Sequence, residues 1–177
     1  MFILRFKIQI IMYRSIEDFI NDWEIECALT AKIYAILTDS TRNVMVHQDV
    51  RSLERLSWHL TQTLTEMGNK AGLFGTDELE HSAVPLTLQE LVESYQKYAE
   101  LLLKAVRSKW TDSSLLDQVE MYGELWEKGK VLRILIVHQT HHRGQMTVIM
   151  RILGLPVPGI YGPSKEEWAE FNMLAPE

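Results

Sequence analysis

Three histidines have the spacing and the surroundings expected of metal ligands. His138 and His142 are four residues apart within VLRILIVHQTHHRGQMTVIMRILG, a segment with helical periodicity. This spacing places two imidazoles one turn apart on the same helical face, where both can bind one ion. His59 borders the leucine stripe of an earlier predicted helix and is the best-placed third ligand. We therefore predict that His59, His138 and His142 bind a divalent metal ion.

The same histidines also have simpler interpretations. A single inward-facing histidine is more often a hydrogen-bonded core residue than a ligand, and two at this spacing can stack or stay solvated. His47 and His81 lie in predicted loops, where ordinary solvated side chains are expected. The metal prediction therefore depends on a third ligand that comes from another helix.

Nearby polar residues could support the ligands. His141 lies about 60° around the helix from His138, and Gln145 lies nearly in line with it. Both are candidates for orienting a ligand or contacting a substrate. Arg143 points about 140° away, which predicts a surface salt bridge. Glu66 lies almost two turns beyond His59 on the second helix. We expect its side chain to be solvated, and the alternative is a role as general base.

Four amphipathic segments must position these side chains. The first runs from about Ile16 to Leu37 after an S-x-x-D start signal, and the second from Leu53 to Gly68. The third follows a capping box formed by Thr87 and Glu90. The fourth extends from about Lys128 to Leu153, where Gly and Pro end it. We predict an all-α four-helix bundle, and the long link before the third helix allows helices two and three to be parallel.

The fourth helix has an unusual predicted inner face, aliphatic at both ends and polar in the middle. Polar groups in an apolar stripe cost desolvation energy unless they are bound, and a metal ion binds imidazoles well. The predicted inner face consists of Val131, Ile134, Leu135, His138, His141, His142, Gln145, Ile149 and Ile152.

Two shorter segments complete the prediction. Residues Val119 to Glu127 alternate weakly, which fits a short extended piece or a helical turn. Ser164 with Glu167 predicts a cap for a short C-terminal helix that packs back onto the bundle.

Composition excludes several classes of function. The 177 residues are 46% hydrophobic and 24% charged, as expected of one globular domain. A net charge of -6 without a dense basic run argues against a nucleic-acid partner. Cys27 is the single cysteine, which fits a buried thiol in a reducing cytoplasm. Residues 1–11 are too short to cross a membrane and are expected to be a dispensable extension of a domain spanning 12–177.

The segments RSLERLSWHL, HQTHHRGQMTVIMRILG and PVPGIYGPSKEEWAEF resemble the DinB-like (damage-inducible) family from Met12 onward. The resemblance implies an up-down-down-up bundle, a homodimer and a divalent metal on three histidines. The ligand positions of the family pattern fall on His59, His138 and His142.

An open tri-histidine site permits two chemistries. The ion, with zinc and nickel favoured, can activate water for hydrolysis or bind a low-molecular-weight thiol as thiolate for transfer. Relatives in the wider DinB-like superfamily use bacillithiol or mycothiol, so the resemblance implies a thiol transferase acting on a small-molecule substrate. The remaining alternatives are a metal-dependent hydrolase and a non-catalytic metal-binding or stress-response bundle.

Overall fold

A computed structural model describes residues 13–176, and it confirms the predicted all-α bundle. The predicted N-terminal extension, residues 1–11, lies outside the described residues. Four long helices alternate with irregular links, one β-hairpin and two short 3₁₀ turns. Their bounds are α1 Ile16–Tyr34, α2 Leu53–Lys70, α3 Leu88–Lys109, β1 Gln118–Met121, β2 Glu124–Glu127 and α4 Lys128–Ile152, with 3₁₀ turns at Asp112–Leu116 and Glu167–Phe171.

Helix starts follow the capping signals in the sequence. Ser15 and Asp18 form a reciprocal capping box at α1, as Thr87 and Glu90 do at α3. The end of α1 was predicted three residues too late. Beyond the helix, the backbone tightens into i to i+3 hydrogen bonds that end at Leu37, so the apolar stripe outlasts the α-helix.

Contacts between helices give the predicted up-down-down-up order. Helices α1 and α3 are antiparallel, because Trp23 donates to the carbonyl of Ala99 while Cys27 meets Tyr95 farther along. Helix α4 runs parallel to α1 and antiparallel to α2, which leaves α2 and α3 parallel. In the ring around the core, α4 packs between α1 and α2, and α3 packs on the opposite side.

The segment predicted as an extended piece or a helical turn is a β-hairpin. Strands β1 and β2 pair antiparallel, and Tyr122 and Gly123 at the turn both have positive φ, 54° and 83°. Two successive turn residues with positive φ give the turn a backbone twist that matches the twist of the two strands of a tight hairpin. The hairpin leads directly into α4 and fixes where that helix begins.

The C-terminal segment folds against the bundle through polar contacts. Glu167 accepts hydrogen bonds from the backbone N–H groups of Gly159 and Ser164, at 2.8 and 2.9 Å. Arg151 of α4 pairs with Glu166. The predicted short helix is a short 3₁₀ turn that covers residues 167–171. Within residues 13–176, no helix is long and apolar enough to span a bilayer.

The buried face of α4 differs from the predicted one. Its centre lies on Gln139, Arg143 and Met146, whereas His141, Gln145 and Ile152 are exposed. The prediction centred the face on the histidines, but α4 packs against both α1 and α2, so the buried arc is wider and rotated toward α1. The histidines occupy the edge of this arc that faces α2.

Candidate metal centre

The fold brings together the three histidines that the sequence selected. His59 lies in the second turn of α2, and His138 and His142 lie in the middle of α4. The Nε2 atom of His138 is 3.2 Å from Nε2 of His59 and 3.1 Å from Nε2 of His142. One ligand nitrogen from each ring falls within 4.8 Å of the others. This cluster could hold a metal ion.

The spacing of these nitrogens suits metal coordination. Metal to imidazole bonds of about 2.0–2.1 Å, at angles between octahedral and tetrahedral values, separate two ligand nitrogens by roughly 2.9–3.4 Å. The two Nε2 separations that involve His138, 3.1 and 3.2 Å, lie in that interval. The rings meet edge to face, with centroids 4.4–4.9 Å apart, so each can direct its Nε2 toward a common point.

Gln145 fixes the tautomer of His142. Its side-chain oxygen Oε1 lies 2.7 Å from Nδ1 of His142, and an amide oxygen only accepts hydrogen bonds. Nδ1 of a neutral His142 must therefore carry the proton. Its Nε2 then presents a lone pair to the cluster, which is the form that binds a metal.

The site favours neutral imidazoles. Burial lowers the pKa of His59 to about 4 and that of His138 to about 3. The pKa of His142 is also lowered by burial, although the hydrogen bond that its Nδ1–H donates to Gln145 opposes that shift. The positive charge of Arg51 acts in the lowering direction on all three histidines. Metal ligands must be deprotonated, so this environment keeps the cluster ready for a cation near neutral pH.

These shifts predict how acid affects the metal-free protein. The folded-state pKa values lie below the value of about 6.5 for an unfolded histidine, so the unfolded chain binds more protons once the pH falls below that value. We expect the free energy of unfolding of chelator-treated protein to fall by about 2 kcal/mol from pH 7 to pH 5. This is the loss that one imidazole causes. We count one imidazole for the whole cluster because solvent partly screens the histidines.

Urea unfolding at several pH values measures this loss. The variant His138→Gln should show a shallower dependence on pH than the wild type. His81→Gln is the matched control, because the His81 side chain is 90% exposed. Equal pH dependence in wild type and His138→Gln would contradict the assignment.

The prediction that Arg143 lies at the surface is wrong. Only 1% of Arg143 is exposed, and its guanidinium forms an ion pair with Glu26 of α1, which is 6% exposed. The hydroxyl of Tyr161 joins them, 2.7 Å from Oε1 of Glu26, and Arg143 also donates to Thr30 at 3.0 Å. Glu26 lies within the apolar stripe of α1. A carboxylate at such a position indicates a buried ion pair, and the sequence prediction did not use this signal.

The remaining candidate residues lie outside the cluster. His141 is exposed, and its ring touches that of His142 at a centroid distance of 4.9 Å. Glu66 lines a separate polar cleft near Asp77 and does not belong to the histidine group. His81 is exposed as predicted. His47 is also exposed, but it lines a cleft that reaches the histidines, which its loop position did not reveal.

That cleft connects the cluster to solvent. It has a volume of about 520 Å³ and opens between the link before α2 and the C-terminal half of α4. His142 and Gln145 line it, and its walls are mainly apolar. The lining residues are Val46, His47, Asp49, Val50, Arg51, Leu56, His142, Gln145, Val148, Ile149 and Ile152. A small molecule can therefore approach the histidines along an apolar surface.

Comparisons with known proteins identify the family of this chain. The model of the DinB family matches residues 12–176. A Bacillus subtilis (strain 168) protein named YrdA, described as uncharacterized, is 36% identical over 166 residues, which cover 94% of this chain and 99% of that protein.

Two solved structures have the same architecture. A DinB-like protein from Bacillus cereus ATCC 10987 superposes with a TM-score of 0.78 at 34% identity, covering 84% of this chain and 99% of the other. A DinB-like protein from Bacillus subtilis, YjoA, gives a TM-score of 0.67 at 14% identity, covering 83% and 99%, and supports the fold alone. The family match spans nearly all described residues, and the 36% identical relative covers most of the chain. This protein belongs to the DinB family.

Proposed function

We propose that this protein binds one divalent ion on His59, His138 and His142 and uses it to transfer a low-molecular-weight thiol to a small electrophile. The observation that carries the proposal is the convergence of three imidazole nitrogens, one of which belongs to a histidine, His142, that lines an open cleft. Within residues 13–176, the group contains no fourth histidine, cysteine or carboxylate ligand. Three histidines without a fourth protein ligand are typical of catalytic rather than structural sites.

The chain's own residues define what the site can do. A zinc or nickel ion bound there would supply Lewis acidity, which ionises a thiol or water near neutral pH. Gln145 holds His142 in the ligating tautomer, through the 2.7 Å contact with Nδ1. The apolar walls of the cleft can accept the non-polar part of a substrate.

The chain's own thiol is poorly placed to be the nucleophile. Cys27 lies between α1 and α3, in a different cleft from the histidines, with the hydroxyl of Tyr95 3.9 Å from its sulfur. Burial raises the pKa of Cys27 to about 11, so the thiol stays protonated near neutral pH. A sulfur nucleophile would therefore come from a separate molecule, and bacillithiol and mycothiol are the candidates that family resemblance supplies.

A cobalt titration tests the thiol proposal. Protein loaded with Co²⁺ is titrated with bacillithiol, mycothiol, glutathione and simple thiols while sulfur-to-metal charge-transfer absorption is recorded. We expect a thiolate band for at least one of them, and its loss in His142→Ala. If no thiol changes the spectrum while esters are hydrolysed in a metal-dependent way, the protein is a hydrolase. If neither occurs, the non-catalytic metal-binding alternative replaces both.

A further inference from the structure

Arg51 places a positive charge beside the histidine cluster. It is the residue before the N-cap of α2, is exposed, and lines the 520 Å³ cleft together with His142 and Gln145. Its charge contributes to the lowered pKa of all three histidines. Arg55, one turn farther along, lowers the pKa of His59 but does not line this cleft. Arg51 is therefore an arginine that shares the cleft with His142.

Within residues 13–176, no protein group forms an ion pair with this cation. Among residues 13–176, the Arg51 side chain makes no ion pair and no hydrogen bond with the rest of the chain, although four other arginines pair with carboxylates. Asp49 lines the same cleft, but its carboxylate lies 3.7 Å from Nδ1 of His47. A free guanidinium can therefore form a bidentate contact with an incoming carboxylate or phosphate.

The remaining walls of the cleft are mainly apolar. Leu56 of α2 faces Val148, Ile149 and Ile152 of α4 across it, and Val148 and Ile152 are 59% and 63% exposed. A ligand that lies on these side chains removes apolar area from water. The cleft thus combines a cation, an apolar wall and one histidine of the cluster, His142, within one small-molecule volume.

We propose that Arg51 selects substrates that carry a carboxylate or phosphate group, with their apolar part on the wall formed by Val148 and Ile152. This inference rests on the proposed function, because the other end of the molecule would reach the ion held by the histidines. The anionic group belongs either to the thiol or to its electrophilic partner.

Matched probes with and without charge test this selection. Co²⁺-loaded protein is titrated with 3-mercaptopropionate and with its neutral methyl ester, and binding is measured from the charge-transfer band. We expect the wild type to bind the anionic thiol about fivefold more tightly, as a single partly exposed charge pair allows. The preference should disappear in Arg51→Gln, remain in Arg55→Gln, and shrink as salt rises from 50 mM to 0.5 M.

A second pair of probes separates this inference from the thiol proposal. The monohydroxamate of succinic acid and its methyl ester bind metals without a thiol, and their binding is measured from the cobalt d–d spectrum. If both thiols bind equally well and only the anionic hydroxamate is preferred, the anion belongs to the electrophilic partner. If neither thiol binds while the anionic hydroxamate is preferred, the thiol proposal fails and the role of Arg51 stands. A preference among the thiols assigns the anion to the thiol.

Two results would overturn the selection by Arg51. One is equal affinity of the wild type for the charged and neutral member of both pairs. The other is an undiminished preference in Arg51→Gln. If no thiol and no hydroxamate binds the metal-loaded protein, both this inference and the proposed function fail. Metal content measured in each variant identifies any loss of the site itself.

Discussion

Replacing Arg143 by methionine is expected to lower the free energy of unfolding by about 3–5 kcal/mol, which is typical for breaking a buried ion pair. The variant leaves the carboxylate of Glu26 buried, at 6% exposure, without its cation. It also removes the donors to the hydroxyl of Thr30 and to the backbone oxygen of Glu26, at 3.0 and 3.2 Å. The two helices α1 and α4 would then meet at an uncompensated charge.

Urea denaturation with a matched control measures this effect. Arg151 lies two turns farther along α4 and pairs with Glu166 at the surface. Arg151→Met should cost less than about 1 kcal/mol, because exposed ion pairs contribute little. The double variant Glu26→Leu with Arg143→Met should recover most of the lost stability, since it removes both buried charges. Equal losses in Arg143→Met and Arg151→Met would contradict the importance of burial.

Metal binding is expected to stabilise the fold strongly. A ligand that binds the folded state alone, at a free concentration of 1,000 times its Kd, adds about 4 kcal/mol to the free energy of unfolding. Excess Zn²⁺ or Ni²⁺ added to chelator-treated protein should therefore raise its denaturation midpoint. His138→Ala should lose most of this gain, because His138 lies between the other two ligands, with Nε2 contacts of 3.2 and 3.1 Å.

His141→Ala provides the control for this experiment. His141 adjoins His142 in the sequence and its ring touches that of His142, but it does not belong to the metal-binding group. The variant should keep the stabilisation by metal. A gain that persists in His138→Ala and disappears in His141→Ala would show that the ligands were wrongly assigned.

Local signals made much of this fold predictable. Ser15 with Asp18 and Thr87 with Glu90 predicted the starts of α1 and α3, because capping residues act within one turn of the helix. The spacing of His138 and His142 predicted a shared face, since helical geometry alone decides which residues are neighbours. The third member of the cluster, His59, was a candidate because it borders the leucine stripe of α2. Its meeting with the other two depends on the packing of α2 against α4, which only the family resemblance implied.

Residues whose roles depend on other elements were harder to predict. Arg143 was assigned to the surface because periodicity was measured from the histidines, whereas its burial depends on the approach of α1 with Glu26. Arg51 precedes a helix in an irregular link, where no periodicity indicates direction. Its place in the cleft follows from the path of that link over α4. Sequence pattern defines the face of one helix, but not which neighbours cover it.

The central claim is that one ion binds to His59, His138 and His142, and metal content per chain tests it most directly. Purified wild-type protein and single alanine variants are loaded with one metal, and unbound metal is removed. The metal content of each is then measured by elemental mass spectrometry. The account predicts close to one ion per chain in wild type, His47→Ala and His81→Ala, and loss of most of it in His59→Ala, His138→Ala and His142→Ala. Unchanged metal content in all three ligand variants would contradict the account.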